Sequence, residues 1–505
     1  MQSLTGIHDN SNSLIINFNN LQFSELSIHT FVTEMKKKNH PIFENIEITA
    51  AAAEGKAIAR VATRVIFIGN AIPGDVADIQ ITKKQKKFFE GRAIKFHKYS
   101  EKRTLPKCLH FGVCGGCKWQ MLPYAKQLQH KQQEVEQNLK RIGKVDLPEL
   151  MPIVGADDDK HYRNKLEFTF SNKRYLLPEE MATEETTLQS NALGFHVPRL
   201  FDKIIDIQEC FLMDDVNNSI RNTVRDFALL HNFTFYDVRQ HTGWLRNIVI
   251  RYCTTGELMV NIIFNNEDEE NRKLLLDDLL LKVPSISTLL YTINPKFNDT
   301  IYDLIPVTYF GKGYIIEKLE NFSFKISPKS FFQTNTKQAE KLYQITRNFA
   351  GLTGDEVVYD LYCGTGSIGI FLSQGAKKII GVEAIEDAIE DAKENAALNA
   401  INHTHFFAGD VIKICNDEFF ATHGKPDVVI TDPPRAGMHE KLVNKLLDIE
   451  APKIIYVSCN TATQARDIGL LNEKYSVKKI QPVDMFPHTH HIECVVLLVL
   501  RQKVL

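Results

Sequence analysis

The stretch Val357-Val358-Tyr359-Asp360-Leu361-Tyr362-Cys363-Gly364-Thr365-Gly366-Ser367 decides the fold. Its apolar start predicts a strand over 357–361, and its glycines predict a tight turn into a helix. Glycines in such a turn let the backbone approach a ligand, and the helix N-terminus offers free N–H groups. Glu383 stands 17 residues after Gly366, at the end of the next predicted strand, Ile379-Ile380-Gly381-Val382-Glu383. A carboxylate there can accept hydrogen bonds from both hydroxyls of a ribose. Further strands are predicted over 427–431, 454–458 and 494–500. Ile385, Ile389, Ala392 and Ala396 recur at helical spacing between two of them. From about residue 328 onward, strands alternating with helices predict an α/β domain with a parallel sheet and crossover helices.

Outside this region the bulk properties set limits. A chain of 505 residues is too long for one hydrophobic core, so several domains are expected. Apolar residues make up 44% and charged residues 24%, with a formal net charge of -2, which suits an ordinary globular protein. The charge is segregated. Lys83–Lys107 holds ten Lys/Arg against two acids, whereas Asp355–Glu418 holds twelve acids against four Lys/Arg. Solvated loops explain a lysine-rich run as readily as a polyanion partner does; the segregation adds weight to the partner. The longest late apolar run, 494–500, suits a buried strand and is too short to cross a membrane. No charged start with an apolar stretch and cleavage site is visible, and the nine cysteines are an odd number. These features predict reduced thiols with metal or catalytic uses in a cytoplasmic protein.

Four segments are expected. Residues 1–34 are polar and aperiodic and are expected to be a poorly ordered extension, with Met35-Lys36-Lys37-Lys38 resembling a start of translation. Residues 40–97 read as a small β-barrel, with β-rich runs such as Val65–Ile68 and Val76–Ile81 bounded by turns. Gly69-Asn70-Ala71-Ile72-Pro73-Gly74-Asp75 resembles the turn of the TRAM domain, a small RNA-binding barrel of the oligonucleotide-binding type. Lys83–Phe89 mixes cations with aromatics, as phosphate contact plus base stacking requires. Residues 98–325 read as a mixed α+β central region, and 326–505 as the α/β domain.

Cys108-x5-Cys114-x2-Cys117 opens the central region, with Gly112, Gly115 and Gly116 giving the tight loop that ligation needs. Three thiolates can clasp one group but require a fourth ligand, and cysteine ligation suits zinc and iron–sulfur clusters alike.

Gly364, Gly366 and Gly369 also fit the G-x-G-x-x-G of dinucleotide folds. Asp360 before the loop and Asp432-Pro433-Pro434-Arg435 after a later strand favour S-adenosylmethionine instead, because they resemble class I methyltransferases. Asp410 can face an adenine amino group or simply serve a Gly-Asp turn. Ser458-Cys459-Asn460 sits at the carboxyl end of a strand, where open α/β sheets keep their ligands. Phe486-Pro487-His488-Thr489-His490-His491-Ile492-Glu493 precedes the last strand. Together with the cysteine cluster and the glycine loop, these motifs occur in the order of the RNA uracil-5 methyltransferase family, which the chain resembles from about residue 40 to its end. The architecture is most similar to the branch acting on 23S ribosomal RNA, which carries a TRAM domain and an iron–sulfur cluster.

That resemblance implies a class I, Rossmann-like methyltransferase that methylates C5 of a uridine. Cys459 becomes the nucleophile that adds to uracil C6, Glu493 the base that removes the C5 proton, and Asp432 a group that orients the uracil. Gln333, Tyr362, Gly364, Gly366, Ser367, Glu383, Asp410 and Asp432 become cofactor contacts. Ser367 stands where some relatives carry Asn, and Thr461 where Pro is common. Cys210 becomes the fourth ligand, 93 positions after Cys117, to a [4Fe–4S] cluster. A monomer acting on RNA, free of membranes, is expected. Candidate RNA contacts are Tyr162-Arg163-Asn164-Lys165, Trp244 and Arg246, each of which also reads as an ordinary packing or surface residue. The competing readings are a transfer-RNA uracil-5 methyltransferase, a non-catalytic iron–sulfur RNA-binding protein and a dinucleotide-dependent redox enzyme. Asn335 with Gln338 three residues later predicts a helix N-cap.

Overall fold

The computed structural model describes residues 41–177, 180 and 189–502, so the extension expected over 1–34 lies outside the described residues. Five strands come first: β1 (Ile42–Ala51), β2 (Ala57–Val61), β3 (Arg64–Gly69), β4 (Val76–Lys84) and β5 (Phe88–Lys98). They close a barrel in the order β1-β2-β3-β5-β4. Strand alternation makes the core: Ala77, Ile79 and Ile81 of β4 point inward beside Ile48, Ile66 and Ile68. The Gly69–Asp75 turn is fixed by Asp75, which is fully buried. Its carboxylate accepts the N–H groups of Ile72 (2.8 Å) and Ser100 (2.9 Å) and pairs with Arg103 at 2.7 Å.

After α1 (Tyr124–Asn138) comes a seven-stranded sheet. It is built from β6 (Lys165–Ser171), β7 (Ala192–Val197), β8 (Leu200–Asp206), β9 (Leu245–Tyr252), β10 (Leu258–Phe264), β11 (Thr288–Ile293) and β12 (Val307–Phe310). The order is β12-β11-β10-β9-β6-β7-β8, and α2 (Val216–Leu230) and α3 (Glu269–Lys282) pack into its core. Trp244 and Arg246 belong to the packing here and do not face RNA. Trp244 is 6% exposed and packs edge-on against Phe233 and at a tilt against Phe264, and Arg246 is 1% exposed with its guanidinium donating to the carbonyls of Asn294 and Asn298.

The hairpin β13 (Ile315–Leu319) and β14 (Phe322–Ile326) leads into α4 (Thr336–Ala350), which Asn335 caps by accepting the Gln338 N–H at 3.2 Å. The second large sheet follows: β15 (Val357–Leu361), β16 (Lys378–Glu383), β17 (Thr404–Ala408), β18 (Val428–Thr431), β19 (Lys453–Ser458), β20 (Tyr475–Val483) and β21 (Glu493–Leu500). Its helices are α5 (Ser367–Leu372), α6 (Glu386–Leu398), α7 (Val411–Ile414), α8 (Asp417–His423), α9 (Glu440–Ile449) and α10 (Thr461–Leu471). The order β17-β16-β15-β18-β19-β21-β20 is the Rossmann-like arrangement expected, with one difference. β21 runs antiparallel to both β19 and β20. Only nine residues, 484–492, join β20 to β21, too few for the crossover of a dozen or more that a parallel pair needs. Alternate residues of the central strands feed two cores: Val358, Ile379 and Ile455 one, Tyr359, Ile380 and Ile454 the other.

The segment 124–154 precedes the central sheet but packs on the second large one. Val135 and Leu139 enter the core with Tyr359 and Tyr456, and Val154 bridges Val483. Among the described residues no helix is long and apolar enough to cross a membrane.

Candidate active site

At the end of β15 the chain turns through Tyr362, Gly364 and Gly366, with φ of +62°, +53° and +74°. A tyrosine in the left-handed region is strained, and such strain collects at functional sites. The N–H groups of Tyr362 and Cys363 hold the turn by donating to the Val382 carbonyl at 2.9 and 3.2 Å. A Cβ at Gly366 would stand 2.9 Å from the Phe406 ring, so no side chain fits there. The Gly369 N–H donates to Asp360 Oδ2 at 2.9 Å, while Asp360 Oδ1 is buried without a partner. Burial pushes the Asp360 carboxyl up to about 7. Glu383 accepts the N–H groups of Gly364 (3.2 Å) and Ile385 (3.1 Å).

The loop before α4 closes on this turn. Thr365 Oγ1 reaches the Phe331 carbonyl at 3.5 Å, and Gln333, half-buried, offers its carbonyl to Asn164 Nδ2 at 2.9 Å. Ser367 shares a 2.9 Å hydrogen bond with the Tyr343 hydroxyl. Asp410 is exposed and caps α7 by accepting the Ile412 N–H at 2.8 Å, which is the turn role the sequence left open. A side-chain-free cradle, an orphaned buried carboxyl oxygen and several convergent carboxyls fit a ligand that carries hydroxyls and a positive charge, as S-adenosylmethionine does.

The thiol lies beside this cradle. β19 and β21 stay in register up to Ser458 opposite Cys494, and Cys459 follows where the chain bends out of the strand, near enough to Glu493 for that carboxyl to act on its thiol. Cys459 is half-buried, and its thiol is pushed up to about 11 by burial and by the charges of Glu493 and Asp432, while a hydrogen bond from Arg435 pulls the other way. Burial pushes Asp432 up to about 7. Burial, then Asp432, holds Glu493 well above the ordinary carboxylate range, with Arg435 opposing. Arg435 also donates to His491 Nδ1 at 2.8 Å, which makes that nitrogen the acceptor. Asn460 caps α10 by accepting the Ala462 N–H (3.1 Å) and ties the thiol loop to the Arg435 carbonyl (2.9 Å). Thr461, where Pro was noted as common, accepts from Asn138 Nδ2 at 2.8 Å, a contact proline could not make.

The loop carrying Glu493 is anchored largely from outside its sheet. Lys131 and Asp484, both fully buried, pair at 2.6 Å, and Tyr124 donates to the same carboxylate at 2.9 Å. The Lys118 and Trp119 N–H groups donate to the His488 carbonyl at 2.7 and 3.0 Å, and Gln127 accepts the His488 N–H at 2.8 Å. Tyr162 donates to the Pro487 carbonyl at 2.9 Å, so this tyrosine of the Tyr162–Lys165 group is a structural anchor. The sequence reading missed Gln127 and Lys131. Their signal was available: with Val135 they form a stripe at i, i+4 and i+8 on the buried face of α1.

Cys108, Cys114, Cys117 and Cys210 line one cavity of about 210 Å³. Burial pushes Cys114 and Cys117 up to about 12 and about 11, so a strongly binding centre is needed to keep them as thiolates. Among the described residues no three His, Cys, Asp or Glu side chains are arranged to hold a single metal ion. Arg221 donates to the Ile207 and Gln208 carbonyls (3.0 and 2.6 Å), fixing the loop before Cys210 and placing a cation near the thiols.

Comparison with known proteins agrees with this geometry. The family model "tRNA (Uracil-5-)-methyltransferase" matches residues 307–501, and the TRAM domain model matches residues 44–94. A Bacteroides thetaiotaomicron protein described as an uncharacterized RNA methyltransferase is 54% identical, over 89% of this chain and 100% of its own length. A Porphyromonas gingivalis protein with the same description is 49% identical, over 90% of this chain and 99% of its own. Among solved structures, the Pyrococcus abyssi tRNA (uracil-54, C5)-methyltransferase in complex with S-adenosyl-L-homocysteine superposes with a TM-score of 0.69 at 26% identity, covering 90% of this chain and all of its own. The barrel, the Rossmann-like domain and these relatives lead to one assignment: the chain belongs to the RNA uracil-5 methyltransferase family, as an S-adenosylmethionine-dependent enzyme.

Proposed function

We propose that the enzyme methylates C5 of a uridine in 23S ribosomal RNA through a covalent adduct on Cys459. The observation that supports this is the convergence of Glu493, Asp432 and Arg435 on the Cys459 thiol where β19 ends alongside the start of β21. C5 of uracil is a weak carbon nucleophile. Cys459 releases its proton to solvent, the Arg435 charge favouring the thiolate, and the thiolate adds to C6 and turns C5 into an enolate carbon. S-adenosylmethionine, when bound, supplies the methyl group on a sulfonium that this carbon can attack. Asp432 holds the uracil edge. Glu493 then takes the C5 proton, the C6–S bond breaks, and Cys459 leaves as thiolate. Gln333, Tyr362, Gly364, Gly366, Ser367 and Glu383 hold the cofactor, with Asp410 at the rim.

Cys108, Cys114, Cys117 and Cys210 hold a [4Fe–4S] cluster in the same reading. The cavity that the four thiols share supports one group held by all of them, and their spacing, which resembles the family's, supports a cluster. The cluster loop braces the Glu493 loop through His488, so its role here is structural.

RNA containing 5-fluorouridine tests the chemistry, because it has no C5 proton to lose. Wild type should form a denaturant-stable adduct at Cys459, and Cys459→Ala should form none. A Cys459→Ala protein that still methylates RNA sinks the mechanism. A transfer-RNA uridine is the second reading, favoured by the match to the Pyrococcus abyssi enzyme. Mapping 5-methyluridine in both RNA classes from a deletion strain decides between them.

A further inference from the structure

Beside Cys459 opens a cleft of about 330 Å³ whose lining includes Arg435, His490, His491, Glu134 of α1 and Glu54 of the barrel. Neither Asp432 nor Glu493 lines it, so it extends away from the carboxyl pair that serves C5. If the target base reaches Cys459, the RNA beside that base is what this cleft would receive. Burial pushes His490 down to about 4, and His491 to about 3, so both imidazoles are neutral. Glu54 is paired with Lys56 at 3.0 Å. Lys131, one turn before Glu134, is committed to Asp484. Glu134 has no hydrogen bond or ion pair among the described residues, and burial pushes its half-buried carboxyl up to about 7, so it acts as a carboxylate above neutral pH.

A carboxyl in the path of RNA repels phosphates, so its place is justified only by donors on a base edge. Glutamate accepts from the exocyclic amino group of a base. Uracil offers one N–H between two carbonyls whose lone pairs oppose a carboxylate. We propose that Glu134 is a specificity-determining residue that reads a nucleobase flanking the target uridine, and that this base carries an amino group. Such contacts to flanking nucleotides set sequence context in enzymes that draw a base out of its stack. The inference rests on the Cys459 reading of the site, since it places RNA across that thiol.

The test uses a transcript carrying the uridine that the full enzyme methylates, with each flanking nucleotide changed in turn to the other three bases. Above about pH 8, where the Glu134 carboxylate dominates, wild type should prefer an amino-bearing base over uracil at one flank by roughly tenfold or more in kcat/KM. Glu134→Gln and Glu134→Ala should lose that discrimination while methylating the uracil-flanked RNA nearly as well as wild type. Discrimination unchanged in both variants overturns the proposal, as does an equal slowing on every RNA, which would mark a proton-transfer or structural role. Adduct formation with 5-fluorouridine RNA is measured on the same proteins. Adducts without flank discrimination sink this inference alone, whereas no adduct in wild type sinks the Cys459 chemistry with it.

Discussion

Glu493 stands against Asp432, and burial together with that neighbouring carboxyl keeps Glu493 protonated well above the usual carboxylate range. Asp432 itself is pushed up to about 7, chiefly by burial. Even with Arg435 opposing, this pair holds protons that the general base must lose before it can act. A sulfonium brought into the site favours the ionised forms. Binding of S-adenosylmethionine near pH 7 should therefore release protons, and S-adenosylhomocysteine, which lacks the sulfonium charge, should release fewer. Calorimetry in buffers of different ionisation enthalpy measures this, and equal release by both ligands would contradict it.

The same shifts set a stability trend. Asp360 and Asp432 titrate at about 7 in the folded protein, against about 3.9 in an unfolded chain. Between these values the folded state binds protons that the unfolded state has released, so stability falls as pH rises through that window. The contribution is fully present below pH of about 4 and is gone above the folded value, on the order of a few kcal/mol. The Tm of the ligand-free enzyme should drop between about pH 5 and about pH 8, on either side of the folded value. Asp360→Asn, which can still accept the Gly369 N–H, should flatten that slope.

Glu493→Gln removes the acceptor for the C5 proton but leaves the nucleophile. The methyl transfer can proceed, while release from Cys459 stalls. Turnover should fall by about 10²–10⁴-fold. A methylated RNA–protein adduct should accumulate even with unmodified uridine. Mass spectrometry of the Cys459 peptide would show it, and full turnover without adduct would remove Glu493 from the role of base.

Arg435 is the cation that both touches Cys459 and faces Glu493. Arg435→Gln should raise the Cys459 thiol further and slow its alkylation by iodoacetamide roughly tenfold, which is what one unit of pKa produces. Arg435→Lys should fall between, since it keeps the charge but loses the planar fork. The alkylation rate followed against pH decides this, and an unchanged profile in Arg435→Gln would show that the thiol is governed by burial alone.

Which of these groups the sequence disclosed follows from how far apart they lie in it. The Asp360–Ser367 turn and the strands feeding it are local, so periodicity and glycine spacing revealed them. Cys459 and Glu493 stood out as motifs, but nothing local places them near each other. That depends on β21 turning antiparallel, which follows only from the shortness of the 484–492 connection. Arg435 was visible inside Asp-Pro-Pro-Arg, but its contact with His491 spans 56 residues. Trp244 and Arg246 looked like RNA contacts because aromatic and cationic residues suit nucleic acid, yet both lie on or beside a strand that is buried from Leu245 to Arg251. The segment 124–154 was grouped with the central region by proximity in sequence, and its packing on the catalytic sheet rests on contacts more than 300 residues apart.

Lys131 and Asp484 illustrate that last point in energetic terms. Each is fully buried, and each would be an uncompensated charge without the other. Removing one member of such a pair costs about 3–5 kcal/mol, most of it from the stranded partner and not from the lost attraction. Lys131→Met should therefore destabilise the enzyme by about that amount in denaturant unfolding. It should also lower kcat more than it weakens cofactor binding, because Asp484 starts the loop that ends at Glu493. Adding Asp484→Asn removes the stranded charge and should restore a large part of the stability. It should not restore kcat, since the tie between α1 and the Phe486–Glu493 loop stays broken. Recovery of both together would mean that the loop needs only neutrality and not the anchor, and a Lys131→Met enzyme as stable as wild type would mean that the pair is not buried in solution.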